Sequence, residues 1–507
     1  MASSEFKDNL QSTLNAPTNH RYFWTWTTAI SMFGYAIVGL ITYGRSIFLD
    51  FGRLDDYVAV GQQKQDALFA LRDQWLQAGR VIPSVVGVWL FSVVGSVGDL
   101  VLPRIVSTLM VSMGGALTAL LVLRMIPRKW PLPAMLLAAS AGFIAMSTTS
   151  GPNAATWAIQ AIQLVAFPTA LAAGVVATSE RPILGVNWAV MAGALIIISV
   201  FSYQQYAMLA VMPTLLWSST RWARRQAPHW GRAAIVAIMC TAALGANFLL
   251  IKVIGGGAGD RAFRYPLSKN IEWFLGIFLP RTVDVFVPSS PRRAAVSTVL
   301  LVILLAIPLL AGIRYLALSL AVLISWMACS LVAFPTELWA SYRLIHPAQL
   351  ALWAGASVGA AVSLIDSGAK HKLRLRVAAT VFVLISLFSL TVAGYRAYTY
   401  LAWPNSIDWA STKCTIANAG TISVNSVIVA TDWSASRSAV ISYDEYGVIG
   451  SAVEPVLSHM VGLAQYELRV DDAVPGVPKI VPYDNAIGLT VPGMLRITQD
   501  ICGTFDN

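Results

Sequence analysis

The chain of 507 residues is 56% hydrophobic and only 12% charged, with a mean hydropathy of +0.65. A soluble domain carries about 25% charged residues, so that class is excluded and a polytopic α-helical membrane protein is expected. The formal net charge of +10 does not imply nucleic-acid binding, because the 35 Lys and Arg are dispersed among loops with no basic stripe interleaved with aromatics.

The polar start, 1–22, runs directly into an apolar stretch at 23–43, which reads as an uncleaved first anchor. A polar interval, 44–103, follows. It holds the adjacent carboxylates Asp55 and Asp56, then Arg72, Trp75 and Arg80, and a short apolar piece, 85–97, broken by GSVGD. That piece is too short for a confident span and is expected to lie at the interface or to re-enter. Further spans are expected at 104–126, 131–148, 154–176, 185–201, 203–218, 232–254, 295–312, 315–333, 346–366 and 377–402. With the first they make about eleven, so 23–403 forms one membrane domain.

Lys and Arg accumulate in cytoplasmic loops. The turns holding Arg124, Arg128 and Lys129, Arg221, Arg224, Arg225 and Arg232, and Lys370, Lys372, Arg374 and Arg376 share one side with the N-terminus. The expected orientation is therefore N-terminus inside and C-terminus outside. It gathers loops 44–103, 255–294 and 334–345 and the tail on the outer face. Loop 255–294 strains this arrangement with Arg261, Arg264, Lys269, Arg281, Arg292 and Arg293. An added span at 271–287 would relieve the strain but invert every later loop, so these cations are expected to serve a purpose outside.

The tail, 404–507, is polar. VNSVIVATD at 424–432 reads as a buried strand, and 453–468 has helical spacing, so a small extracytoplasmic α/β domain is expected. Cys240 and Cys329 lie in apolar spans. Cys414 and Cys502 bracket the tail, where an oxidising compartment favours a disulfide between them.

No P-loop, GxGxxG, HExxH or paired CxxC occurs, and GGGAG at 255–259 lacks the Lys-Ser/Thr of a phosphate cradle. By themselves, Asp55 and Asp56 are either a solvated pair loosely neutralised by Arg53 or a reactive pair. Arg72, Arg80 and Trp75 either contact a phosphate or sugar or anchor a helix at the interface. Tyr203, Gln204 and Gln205 sit where two spans meet with almost no loop. Amides at that depth either line a cavity or pair with neighbouring helices.

LDDY at 54–57 just after the first span, RDQWLQAGR at 72–80, SYQQY at 202–206, WASYR at 339–343 and YDEYGVIGS at 443–451 together resemble the GT-C class of membrane glycosyltransferases. Within it they are most similar to the Gtr-type glucosyltransferases that modify bacterial O-antigen. The resemblance implies a polyprenyl-phosphate-linked sugar donor, a glycan or lipid-linked glycan acceptor, and a place in the bacterial inner membrane. It further implies that Asp55 or Asp56 is the catalytic base. Arg72, Arg80, Arg264, Tyr265, Tyr342 and Arg343 would bind donor phosphate or sugar, with Trp75, Tyr203, Gln204 and Gln205 lining the cavity. No complete metal ligand set is readable, and members of the class differ in metal dependence, so Mg or Mn stays open. The rival classes are a lipid or oligosaccharide flippase and a non-catalytic assembly partner. Against the flippase, no inverted repeat with matching broken helices is visible.

Overall fold

The computed structural model describes residues 17–52, 56, 60, 64–126, 131–148, 150–179, 185–254, 266–283, 291–334, 342–368, 372–419, 427–430, 479–482 and 495–497. The helices are α1 (Pro17–Ile47), α2 (Lys64–Gln77), α3 (Val88–Ser92), α4 (Val101–Met125), α5 (Leu132–Met146), α6 (Ser150–Thr156), α7 (Ala166–Ala177), α8 (Trp188–Tyr203) and α9 (Val211–Ala223). They continue as α10 (Trp230–Val253), α11 (Leu267–Trp273), α12 (Leu279–Val283), α13 (Pro291–Ala311), α14 (Leu316–Ala333), α15 (Tyr342–Gly368), α16 (Lys372–Arg396) and α17 (Trp403–Ala419). Three short strands, β1 (Val427–Ala430), β2 (Lys479–Pro482) and β3 (Leu495–Ile497), pair in parallel in the order β2-β1-β3. β1 falls inside the expected strand at 424–432, whereas the helix expected at 453–468 lies outside the described residues.

Among the described residues, seven helices are long and apolar enough to cross a membrane, or eight if α5 and α6, bent by 68°, form one span. The protein is a multi-pass helical membrane protein. The expected count of about eleven is not reached by that criterion, for two physical reasons. Gln163–Ala177 and Ala295–Ala311 are apolar but short, and the 36-residue run Trp188–Ala223 doubles back on itself. A straight helix would hold Trp188 and Trp217 about 43 Å apart. Instead the Arg232 guanidinium lies 5.1 Å from one ring centre and 5.7 Å from the other. The reversal begins at Tyr203, whose extended backbone (φ −162°, ψ 104°) stops α8 before the 3-10 turn Gln204–Ala210.

The stretch expected to form one span at 154–176 is also broken. Trp157 is extended (φ −93°, ψ 108°) and precedes two 3-10 turns, Ala158–Gln160 and Gln163–Val165, before α7 begins. Asn153, Thr156, Gln160 and Gln163 are all buried there, so the break carries polar side chains into the bundle.

α15 is the most enclosed helix, and its Ala, Gly and Ser residues let neighbours approach closely. A Cβ at Gly355 would lie 3.3 Å from both Met212 of α9 and Val322 of α14. Gly115 of α4 and Gly142 of α5 meet backbone to backbone in the same way. Two of the three π-helical turns among the described residues, Phe274–Phe278 and Ala397–Ala402, each precede a proline, Pro280 and Pro404. A helical proline lacks an N–H and crowds the carbonyl four residues earlier, and the widened turn relieves both. Helical backbone consequently continues from α16 through α17 to Ala419, although the apolar span ends at Thr399.

Side-chain contacts define two opposite faces of the bundle. On one, arginines cap helix ends: Arg124 donates to Val175 O, Arg232 to Ala177 O and Ser179 O, and Arg224 pairs with Asp366. The other is the carboxylate face, where Asp56 is buried.

Candidate functional site

The first loop is pinned into the bundle at three places. Asp56 is fully buried, and its Oδ1 accepts a 2.8 Å hydrogen bond from the Ile159 backbone N–H. That donor is available because the extended Trp157 starts a new helical turn whose first amides have no intrahelical acceptor. Arg104, also fully buried, donates from Nη1 to Ile47 O at 3.1 Å and Leu49 O at 2.7 Å, and from Nη2 to Phe51 O. Its guanidinium stacks 3.7 Å over the Phe51 ring. Ile47 ends α1, so Arg104 both caps that helix and shapes the chain leading to the carboxylates.

The third pin is the C-terminal end of α2. Gly79 (φ +72°) closes a Schellman cap, with Gly79 N donating to Leu76 O at 2.9 Å and Arg80 N to Trp75 O at 2.8 Å. Side chains from distant helices then bind the cap: Asn247 Nδ2 to Gly79 O at 2.7 Å and Gln204 Nε2 to Ala78 O at 3.2 Å. Arg80, next in sequence, places its guanidinium 4.8 Å over the Tyr203 ring.

Beyond Tyr203 an aromatic train runs inward. Tyr203 and Tyr206 have ring centres 5.9 Å apart, and Tyr206 Oη lies 2.6 Å from His346 Nδ1 in α15. Gln349, one turn further along α15, accepts from Ser150 N and Oγ and donates to Arg281 O. Along this train Tyr203 Oη, Gln204 Oε1, Gln205 Oε1 and His346 Nε2 are buried with no hydrogen-bond partner among the described residues. A neutral polar ligand would find both donors and acceptors among them.

The structure thus brings together Asp56, Arg80, Tyr203, Gln204 and Gln205 on one face. It does not bring in Arg72, which is exposed and paired with neighbouring Asp73 at 3.0 Å. Trp75 does not line an opening either. It is 3% exposed, and a Cβ at Gly87 would meet its ring at 2.6 Å, so the indole is the packing core between α2 and the turn Pro83–Gly87. The apolar piece expected at 85–97 is this turn with α3, and it leaves Val85, Trp89 and Val93 exposed, as an interfacial element requires. The run at 271–287 is not among the described helices that are long enough to span. Its described part, to Val283, packs through Phe274 on Phe334 and through Thr282 on Trp326. Tyr342 and Arg343 form the first turn of α15. Asp55, Arg264, Tyr265 and Cys502 lie outside the described residues. Cys414 is disulfide-bonded, and Cys240 and Cys329 are free.

Among the described residues no three His, Cys, Asp or Glu side chains gather as metal ligands. Arg104, Asn247 and His346 were not anticipated as site residues. Arg104 carried a signal, an arginine followed by an unbroken apolar stretch.

No protein-family model matches the sequence, and no characterised protein matches it. Among solved structures, the Archaeoglobus fulgidus oligosaccharyltransferase in complex with Zn and sulfate superposes with a TM-score of 0.45 at 12% identity, over 89% of this chain and 62% of that one. ArnT from Cupriavidus metallidurans bound to undecaprenyl phosphate gives 0.41 at 12% identity, over 92% and 90%. The chain therefore spans somewhat less than two thirds of the oligosaccharyltransferase chain.

Proposed function

We propose that the protein is an inverting glycosyltransferase of GT-C type that moves a sugar, glucose by its Gtr-type resemblance, from a polyprenyl-phosphate donor to an envelope glycan such as O-antigen. The observation that carries this reading is the binding of the first-loop carboxylate segment into the bundle by Ile159 and Arg104, with Arg80 on the same face. A carboxylate and a cation at a membrane boundary suit an acceptor hydroxyl and a lipid phosphate. The helix-capping arginines of the opposite face favour that face as cytoplasmic. The carboxylate face is then outside, in the periplasm, where nucleotide sugars are absent and the donor must be lipid-borne.

In this mechanism Asp55 accepts the proton of the acceptor hydroxyl as its oxygen attacks the anomeric carbon. The bond from that carbon to the phosphate oxygen breaks with inversion, and polyprenyl phosphate leaves with its charge met by Arg80. Asp56, enclosed and engaged by Ile159, instead serves to anchor the loop to which Asp55 belongs. Arg264, Tyr265, Tyr342 and Arg343 remain candidate donor ligands, and Cys414 is proposed to pair with Cys502.

The test is transfer from polyprenyl-phosphate glucose by purified full-length protein, with retention or inversion read from the product. Lipid translocation without transfer would replace this reading with the flippase.

A further inference from the structure

Taking the transferase reading as given, we propose that Arg104 is a positioning residue for catalysis, setting where the first-loop base stands. Three observations converge on it. First, its side chain is enclosed and reaches three carbonyls, of Ile47, Leu49 and Phe51, all in the segment that leads to Asp55. Those carbonyls lie at or beyond the end of α1, where no intrahelical donor is left for them. Second, Phe51 stacks face-on against the guanidinium, so the fork is fixed in plane as well as in reach. Third, α4, which carries Arg104, also holds the other anchor: Ser107 Oγ donates to Trp157 O, two residues before the amide that binds Asp56.

One helix therefore grips both sides of the base-bearing loop. Near its N-terminal end Arg104 holds the incoming chain, and one turn later Ser107 holds the break that binds Asp56. Burying a cation is costly unless its hydrogen bonds are satisfied, and the guanidinium reaches three carbonyls from two separate nitrogens while its flat face lies on Phe51. Lysine offers a point charge without that geometry. If the purpose were only to cap α1, an exposed cation in its last turn would suffice, and Arg45 already stands there. The enclosed guanidinium instead fixes the path of residues 47–51, and through them the approach of the carboxylate to the acceptor.

The experiment compares the full-length protein with Arg104→Lys, Arg104→Met and Phe51→Leu. Transfer from polyprenyl-phosphate glucose is followed by kcat and donor KM, and backbone hydrogen exchange over 47–52 by mass spectrometry. Misplacing a reacting group by about 1 Å costs about 100-fold in rate. Arg104→Met is expected to lose kcat by about that factor at unchanged donor KM, with Arg104→Lys recovering only a minor part. Exchange at 47–52 should accelerate while exchange in α15 stays as in the parent. Phe51→Leu keeps the arginine and loosens its plane, so it should lose several-fold in kcat even if the arginine variants do not fold. Unchanged kcat in Arg104→Met or in Phe51→Leu overturns the proposal, as does a fall in kcat matched by an equal rise in KM. A parent protein that transfers no sugar fails the transferase reading instead, and unaltered exchange at 47–52 then decides against Arg104 separately.

Discussion

Asp56 and Ile159 are joined by a 2.8 Å hydrogen bond between a carboxylate and a backbone amide 103 positions apart in sequence. The bond exists because the chain after α6 abandons helical geometry at Trp157, so the interruption of one apolar stretch and the placement of Asp56 are a single structural event. Asp56 is thereby committed to an amide, and the proposed mechanism accordingly assigns the proton transfer to its neighbour, Asp55.

That assignment separates the two Asn variants. Asparagine at 56 still offers an oxygen to the Ile159 N–H, so Asp56→Asn should keep most of the transfer activity, whereas Asp56→Ala strands a buried donor at a cost of about 1–3 kcal/mol. Asp55→Asn removes the base and should lower kcat by about 10²–10⁴ while leaving donor binding intact. Steady-state kinetics with a donor-binding assay checks all three. Full activity in Asp55→Asn and none in Asp56→Asn would reverse the assignment.

The α2 cap should behave as a coupled unit. A side chain at Gly79 suffers the left-handed penalty of about 1–2 kcal/mol. It also meets Asn247, whose Oδ1 lies 2.5 Å from where the Cβ would stand. Gly79→Ala is therefore expected to lower the melting temperature more than Asn247→Ala alone. In the double variant part of the loss should disappear, with a coupling of about 1 kcal/mol. Thermal melts read by a thiol-reactive dye can follow this, since Cys240 and Cys329 are free and buried. Strict additivity would mean that the contact carries no energy.

Apolar content and charge asymmetry made the bundle, its polar first loop and its two faces legible in the sequence, because membrane burial constrains composition strongly. Helix continuity was less legible. Tyr203 and Trp157 interrupt apolar stretches through backbone conformations that hydropathy cannot register. Pro280 and Pro404 are visible causes of the π-turns, but a proline alone does not say whether a helix bends, widens or stops. Asp56, Arg80 and Tyr203, which the structure places on one face, could be singled out because each stands out as polar in its surroundings. Trp75 misled for the opposite reason: an interfacial tryptophan and a buried one look alike until Gly87 is seen against it. Asn247 and His346 were invisible because their meaning lies wholly in partners far away in the chain.

On the arginine face, Arg224 forks onto both oxygens of Asp366 at 2.8 and 2.7 Å, and Tyr315 Oη donates to the same carboxylate at 2.9 Å. Arg224 also reaches Met125 O, so one cluster ties together α4, α9, α14 and α15. The pair is mostly enclosed, at 23% and 10% exposure. Removing one partner of such a pair costs about 3 kcal/mol, so Asp366→Ala should destabilise strongly, and Tyr315→Phe by about 1 kcal/mol. Because the cluster is remote from the carboxylate face, the donor KM of any folded variant should stay at the parental value. A selective rise in KM would show that the two faces communicate.

Orientation can be read with little background. Cys240 and Cys329 are buried, Cys414 is oxidised, and Cys502 is its proposed partner, so a membrane-impermeant maleimide should find few native thiols. Gln74 is exposed in α2 on the carboxylate face, and Gln226 is exposed in the turn after α9 on the arginine face. In intact cells Gln74→Cys should label and Gln226→Cys should not until the membrane is permeabilised. Non-reducing peptide mapping should recover Cys414 linked to Cys502. The two results constrain one another, because a disulfide on the tail persists only in an oxidising compartment. If Gln226→Cys labelled instead, the carboxylates would face the cytoplasm, where nucleotide sugars are at hand. The physical reason for requiring a lipid-borne donor would then be gone.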